Sequence, residues 1–483
     1  MNSKAAQNTV LFLLSKAFYE LFHPHQIVIE HSFGDGFFCH EANWEKMSGK
    51  NIKELEVQLI NWIKNTTPIE FESRSKHRVQ KDLEKMNSQS KLELLRQWDK
   101  DTISIIQFGS HWDIQLDVME TDKSLLNIFK LKKYNDGFII RFQNEGGIFP
   151  PFTDQPRLFS IFEEHEKWGS ILGVSTIREL NELIRTGKIR EMIWVAEGLQ
   201  EKKISYIADK MVEDFPEKRI ISISGPSSSG KTTFAKRLGI QLRVNGFNTI
   251  QISMDDYFLD RNDLKPNEDG QIDYETIAAI NTDLLCKHLK QLLNGYPVRM
   301  RKFDFVSGTS KEAGKTIQLG KWDFILLEGI HGLNPNLTKT LGKKHLHRVY
   351  ISAITQMNID ANHRISTSDN RLLRRMVRDH KFRGYSSLET LDRWPMVRKG
   401  EDENIFPFQE EADFMFNSSL VYELPVLAKY ALPLLREIDS RSEFALEAER
   451  LMTLLSFFEV FDESWVPGIS ILREFIGDSD FDY

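Results

Sequence analysis

The chain has 483 residues, 41% of them hydrophobic, which is enough for two or three domains with an apolar core in each. Its net charge of -7, with acids and bases interleaved, argues against a protein whose main work is to grip nucleic acid, because phosphate contacts need concentrated Lys and Arg. Two distant cysteines, Cys39 and Cys286, exclude a disulfide framework and point to a reducing, cytoplasmic setting.

The apolar run at 10–14 is followed by Lys16 and Glu20, so it reads as the buried face of a helix over 9–21 rather than a signal peptide. No stretch approaches the ~20 apolar residues of a membrane span. Strand-like pieces follow at 26–30 and 36–39, then a helix over 52–65, then further strand pieces at 103–107 and 137–142. Gly34 to Gly36 and Gly146-Gly147 mark turns, and Pro150-Pro151 leads out of a first α+β domain over 1–170. His23, His25, His31, Cys39 and His40 fit no tetrahedral zinc spacing and read as ordinary turn and strand residues. Residues 171–215 are expected to be a helical connector. From 216 to about 430 strands and helices alternate, which predicts an α/β layer structure with a mainly parallel sheet. Residues 431–483 read as a helical extension, with Leu434, Leu435, Leu451 and Leu455 on apolar faces.

Within the α/β region, Gly225-Pro226-Ser227-Ser228-Ser229-Gly230-Lys231-Thr232-Thr233 follows the pattern G-x4-G-K-[ST]. An apolar, β-branched segment at 219–224 precedes it, and a helix with Phe234, Leu238 and Leu242 on one face follows. This strand–loop–helix order favours a phosphate-binding loop over a serine-rich turn without a ligand. Glycines let backbone N–H groups turn inward around phosphate oxygens, and the helix N-terminus adds partial positive charge. ATP and Mg²⁺ are therefore the expected ligands, with Lys231 reaching the β and γ phosphates and the Thr232 hydroxyl on the metal.

Two strand ends supply acids. A strand over 249–254 ends at Asp255-Asp256, and one over 324–327 ends at Glu328. Ligand groups gather at such C-terminal ends in open α/β sheets. One acid can orient or deprotonate an acceptor hydroxyl while the other holds the metal; alone, each is equally a solvated strand-end acid. Arg371, Arg374, Arg375 and Arg378 share a broad helical face, with Arg383 following. Such a face is often simply solvated, but beside a phosphate loop it is expected to close as a lid over the transferring phosphate.

The segments at 225–233, 252–258, 303–308, 326–335 and 374–384 together resemble the uridine kinase and phosphoribulokinase family. The resemblance implies that Asp255 is the general base beside an acceptor 5′-hydroxyl, that Glu328 accompanies Mg²⁺, and that Asp273 contacts ribose hydroxyls. It implies lid and substrate roles for Arg375, Arg378 and Arg383; Tyr385 replaces a further lid arginine. Phe303 and Gly308 stand where uridine–cytidine kinases carry a tyrosine and a histidine, so pyrimidine recognition is not expected. Strand alternation would instead place the Phe303 and Phe305 rings on one side, as a stacking surface with relaxed base preference. The small-molecule acceptor is then a nucleoside, with a sugar phosphate or other small alcohol as the alternative. A non-catalytic, RNA-associated regulator is the reading from a different class, and self-association into a homo-oligomer stays open.

Residues 7–170 resemble, more distantly, the editing-type domain of threonyl- and alanyl-tRNA synthetases, through the stretches at 8–22, 29–38 and 108–113. Asn8, Phe12, Gln115 and Met119 stand where that family has its metal-binding or hydrolytic residues. The resemblance therefore implies a domain without editing activity.

Overall fold

The computed structural model describes residues 3–144, 146–264, 275–304, 307–355 and 357–483. The first part of the chain is built on antiparallel strands, β1 alternating buried and more open positions. β1 (Ile27–Phe33), β2 (Gly36–Glu41), β6 (Phe129–Tyr134) and β7 (Gly137–Phe142) form a sheet in the order β1-β2-β7-β6. β3 (Ile69–Ser75), β4 (Thr102–Phe108) and β5 (His111–Ile114) form a second, three-stranded sheet. The helix Ser3–Phe22 buries Val10, Leu13, Leu14 and Phe18 against Ile27, Ile29, Phe138 and Ile140 of the four-stranded sheet. The helix Gly49–Lys64 joins the same core through Leu55 and Leu59, and Ser48 caps it by accepting the Asn51 N–H.

Three helices follow: Pro156–Leu172, Ile177–Arg185 and Ile189–Glu213. The long third helix packs Ile204, Ile207, Ala208 and Met211 into the core that also holds Phe234 and Leu238.

The α/β region carries a five-stranded sheet in the order β14-β13-β8-β12-β9, parallel throughout. Its strands are β8 (Ile220–Ser224), β9 (Asn248–Ser253), β12 (Asp323–Glu328), β13 (Leu346–Ser352) and β14 (Phe414–Asn417). Every residue of β8 is buried, as a central parallel strand covered on both faces requires. The register sets Glu328 beside both Ile223 and Ser253, so the ends of β8, β9 and β12 lie at one edge of the sheet. A separate hairpin, β10 (Val298–Asp304) with β11 (Thr309–Ile317), stands beside β9.

The helix Glu423–Arg436 runs through Ala431, and Leu434, Leu435, Leu451, Ile471, Leu472 and Phe475 share one core with Ile221 and Ile223 of β8. The apolar stripes of this helical C-terminal part are covered by the parallel sheet and its helices, so the packing is continuous with the α/β layer.

Candidate active site

Gly225–Gly230 leave the end of β8 and turn directly into the helix Lys231–Val244. Gly230 has φ +82°, a conformation that side chains other than glycine resist, and a Cβ there would come 2.5 Å from Ile471 Cγ2. Lys231 folds back along the loop, donating to the carbonyls of Gly225 (2.9 Å) and Pro226 (3.0 Å). Burial lowers its pKa, opposed by the negative charges of Glu328, Glu474 and Asp255.

The Thr232 hydroxyl donates to Glu328, 3.0 Å from Oε2 and 3.3 Å from Oε1. Burial pushes the Glu328 carboxyl up to about 7, against the pull of Lys231, while Asp255 and Glu474 push the same way as burial. Asp255 lies in the short turn Met254–Tyr257 just beyond β9. Its pKa is also raised by burial, opposed by Lys231 and Arg383. Asp256 instead accepts the Phe303 N–H (3.3 Å) and faces Lys302 (3.5 Å), tying the turn to the hairpin. A hydroxyl and a carboxylate meeting at 3.0 Å are a hard oxygen donor pair, and their chemistry fits Mg²⁺.

The arginine face is not open. Arg371 and Arg374 are 1% and 0% exposed, ion-paired with Glu401 and Glu423 respectively. Both also hold the phosphate loop from behind: Arg371 Nε donates to the Ser227 carbonyl (2.9 Å) and Arg374 to the Ser228 carbonyl (3.3 Å). Arg371 and Arg374, expected as part of the lid face, are instead locked by acids on the helices Ser387–Asn404 and Glu423–Arg436. Arg375 donates to the Ser227 hydroxyl (2.8 Å) and, with Arg378 and Arg383, gathers around the single carboxylate of Asp379. Of these, Arg383 and Arg378 act by their charge on Asp255.

In the acceptor segment, Phe303 is 3% exposed and packs edge-on against Phe258, their centroids 5.5 Å apart, in a core with Met254 and Tyr257. Its ring is part of that core, which corrects the expectation of an open stacking surface; cross-strand pairing in β10 points it inward. Phe305 and Asp273 lie outside the described residues. Gly308 has φ +68°, and a Cβ there would fall 2.7 Å from Arg261 Nε. A side chain at this position is therefore both strained and blocked.

Residues 220–423 match the family model described as phosphoribulokinase / uridine kinase family. A uridine kinase of Staphylococcus haemolyticus (strain JCSC1435) is 30% identical over 197 residues, which are 41% of this chain and 86% of that protein. A uridine kinase of Staphylococcus aureus (strain JH9) matches with the same identity and coverage. The chain belongs to the phosphoribulokinase and uridine kinase family. Among solved structures, a protein described as a possible uridine kinase from Bacillus stearothermophilus is similar at 19% identity and TM-score 0.31, over 45% of this chain and 98% of that one. Membership of the family makes the α/β region a small-molecule kinase unit.

Three acids of this kinase unit were not legible in the sequence. Glu401, fully buried, accepts the Ser227 N–H of the phosphate loop (2.9 Å) as well as its arginine partner. Glu474, from the C-terminal part, accepts the N–H and hydroxyl of Thr233. The Tyr483 hydroxyl also meets the Thr233 hydroxyl, at 2.8 Å. Glu275 has a carboxyl pushed up to about 7 by burial, opposed by Arg375. No spacing rule connects these positions to the loop; they arrive through tertiary packing alone.

Proposed function

We propose that this chain transfers the γ-phosphoryl group of ATP to a hydroxyl of a nucleoside, with the 5′ position as the acceptor. The observation that carries the reading is the meeting of Thr232 and Glu328 at 3.0 Å, with Lys231 and Asp255 exerting charge on the same carboxylate. Gly225, Pro226, Ser227, Ser228, Ser229, Gly230 and Thr233 bind the phosphate chain through the loop, and Lys231 swings from its carbonyl partners to the β and γ oxygens. Mg²⁺, held by Thr232 and Glu328, would offset charge on the phosphate oxygens. Asp255 accepts the proton of the attacking hydroxyl, and its burial beside Lys231 and Arg383 positions it to do so. Arg375 and Arg378 neutralise the transferring group, and Arg383 orients the acceptor. Little covalent chemistry is asked of the protein, so positioning and fixed charge supply most of the rate.

A second reading, a sugar phosphate as acceptor, draws support from the gathering of Arg375, Arg378 and Arg383 at Asp379. An ATP-consumption screen across nucleosides and sugar phosphates separates the two. Turnover with a broad set of nucleosides supports the first, turnover with phosphorylated sugars alone supports the second, and no turnover with either sinks both.

The chain is further proposed to comprise an editing-like domain over 1–170, a helical connector over 171–215, the kinase over 216–430 and an extension over 431–483, acting in the cytoplasm. The editing-like assignment is supported by Asn8, Phe12 and Met119, which line one cavity together although Met119 is more than a hundred residues from the other two; the fourth position, Gln115, is not among its lining residues. None of the three carries a metal-binding or hydrolytic group, so the domain is proposed to be inert in hydrolysis.

A further inference from the structure

The cavity lined by Asn8, Phe12 and Met119 is closed on its other side by the segment 359–366 and by Arg450 and Phe457. Its volume is about 80 Å³, room for several water molecules at about 10–15 Å³ each. It lies between the first domain and the kinase unit. The two are joined there by backbone contact, Ile29 N–H to the Ala361 carbonyl at 3.2 Å.

Most charges around this cavity are matched. Asp113 holds Lys91, Asp360 holds His363 at 3.0 Å, and Arg450 is held by Asp369 and Glu447, each at 2.7 Å. Asp117 lies 3.8 Å from Arg450, while Lys4 and Arg364 have no ion pair among the described residues, Lys4 at the exposed rim. The Arg364 guanidinium lies over the face of Phe37, 4.3 Å from the ring centroid, and makes no hydrogen bond or ion pair to any described residue. Asp369, Asp117 and Glu30 act on it only from a distance. Arg364 is partly exposed, and a guanidinium fork of N–H donors with no anion in contact suits a planar or tetrahedral oxyanion. Leu11, Ile29, Leu116 and Leu454 supply apolar lining to the same cavity.

We propose that this cavity is a binding site for a small organic anion, its carboxylate or phosphate group taken by Arg364 and its short apolar portion by that lining. Occupancy reaches the kinase unit directly, because Ser366, two residues on, caps the helix Thr367–Arg383 that carries the active-site arginines. The site is independent of the acceptor chosen by the kinase.

The test uses the full chain with two probes, butyrate and inorganic phosphate, followed by calorimetric titration. Saturable binding of at least one probe is expected, retained in Lys231→Ala and weakened about tenfold or more in Arg364→Gln, the scale of a lost charged hydrogen bond. Response to butyrate assigns a carboxylate ligand; response to phosphate alone assigns a phosphate ester. Binding of neither probe overturns the proposal, as does equal binding by Arg364→Gln or loss in Lys231→Ala instead. Should Arg364→Gln fail to fold, a co-crystal of the unaltered chain with butyrate decides: density against the Arg364 guanidinium supports the site, and an empty cavity refutes it.

Discussion

Glu474 places one carboxylate oxygen 3.0 Å from the Thr233 amide nitrogen and 2.6 Å from the Thr233 hydroxyl, at the first turn of the phosphate-loop helix. That N–H belongs to the group of donors which a helix N-terminus offers to an anion. Glu474 therefore competes with nucleotide phosphate for one of its own contacts. Removing the charge in Glu474→Gln should lower KM for ATP by about tenfold, the equivalent of one charged hydrogen bond no longer displaced. An unchanged or raised KM would mean that the carboxylate helps the nucleotide bind.

Lys231→Ala removes the only flexible cation of the loop sequence. Its present partners are two carbonyls of its own loop and no acid among the described residues pairs with it, so the melting temperature should change little. Turnover should fall by about a hundredfold or more, because the β and γ charge loses a fixed counter-ion. Kinase activity equal to that of the unaltered chain, with any acceptor, would take the loop out of the mechanism.

Asp255→Asn preserves size and separates proton acceptance from packing. ATP binding should persist while transfer falls about a hundredfold, the usual scale for a positioned base. Full turnover would move the role elsewhere; Asp256, engaged with Phe303 and Lys302, is the neighbour to examine next.

What the sequence disclosed divides along a physical line. The loop, the strands at 220–224, 248–253 and 323–328, and the acids at the ends of the last two were legible because each depends on local pattern: β-branched runs, glycines and strand-end position. The division of labour among the arginines was not. Arg371 and Arg375 look alike on a helical wheel, and only the approach of Glu401 from a neighbouring helix distinguishes a locked residue from an available one. Phe303 failed for a related reason. Alternation says which side a ring takes, but whether that side is pocket or core is decided by Phe258 and Tyr257. Gly308 read as a missing histidine, whereas its φ of +68° and the Arg261 side chain against it make it a backbone requirement.

Glu423 tests how far the buried ion pairs support the site. It is 1% exposed and accepts from Arg374 Nε, Asn370 and Ser419, each at 2.7 Å. Glu423→Ala leaves a buried guanidinium without its partner, which costs roughly 3–5 kcal/mol. Chemical denaturation should register that loss, and a change under about 1 kcal/mol would mean that water or a rearranged side chain replaces the carboxylate.

His363 gives the contact between the two units a pH dependence. Burial lowers its pKa, but the charges of Asp360 and Asp113 outweigh that, leaving it above the ordinary value of 6.5 despite the opposing charge of Lys91. For a base whose pKa is higher folded than unfolded, the added stability is fully present below the unfolded value and is lost as pH rises through the folded one. Asp360 has the opposite shift, held below its ordinary 3.8, so its contribution is lost only in acid and stays constant through the neutral range. Between about pH 6 and pH 9, the melting temperature of the unaltered chain should therefore fall more steeply than that of His363→Asn, which cannot titrate there. Other buried acids titrate in the same window, Glu275 and Glu328 near 7 among them, so the difference between the two profiles is the quantity to read. Parallel profiles would show that the Asp360–His363 pair, 3.0 Å apart, carries no charge-dependent stability.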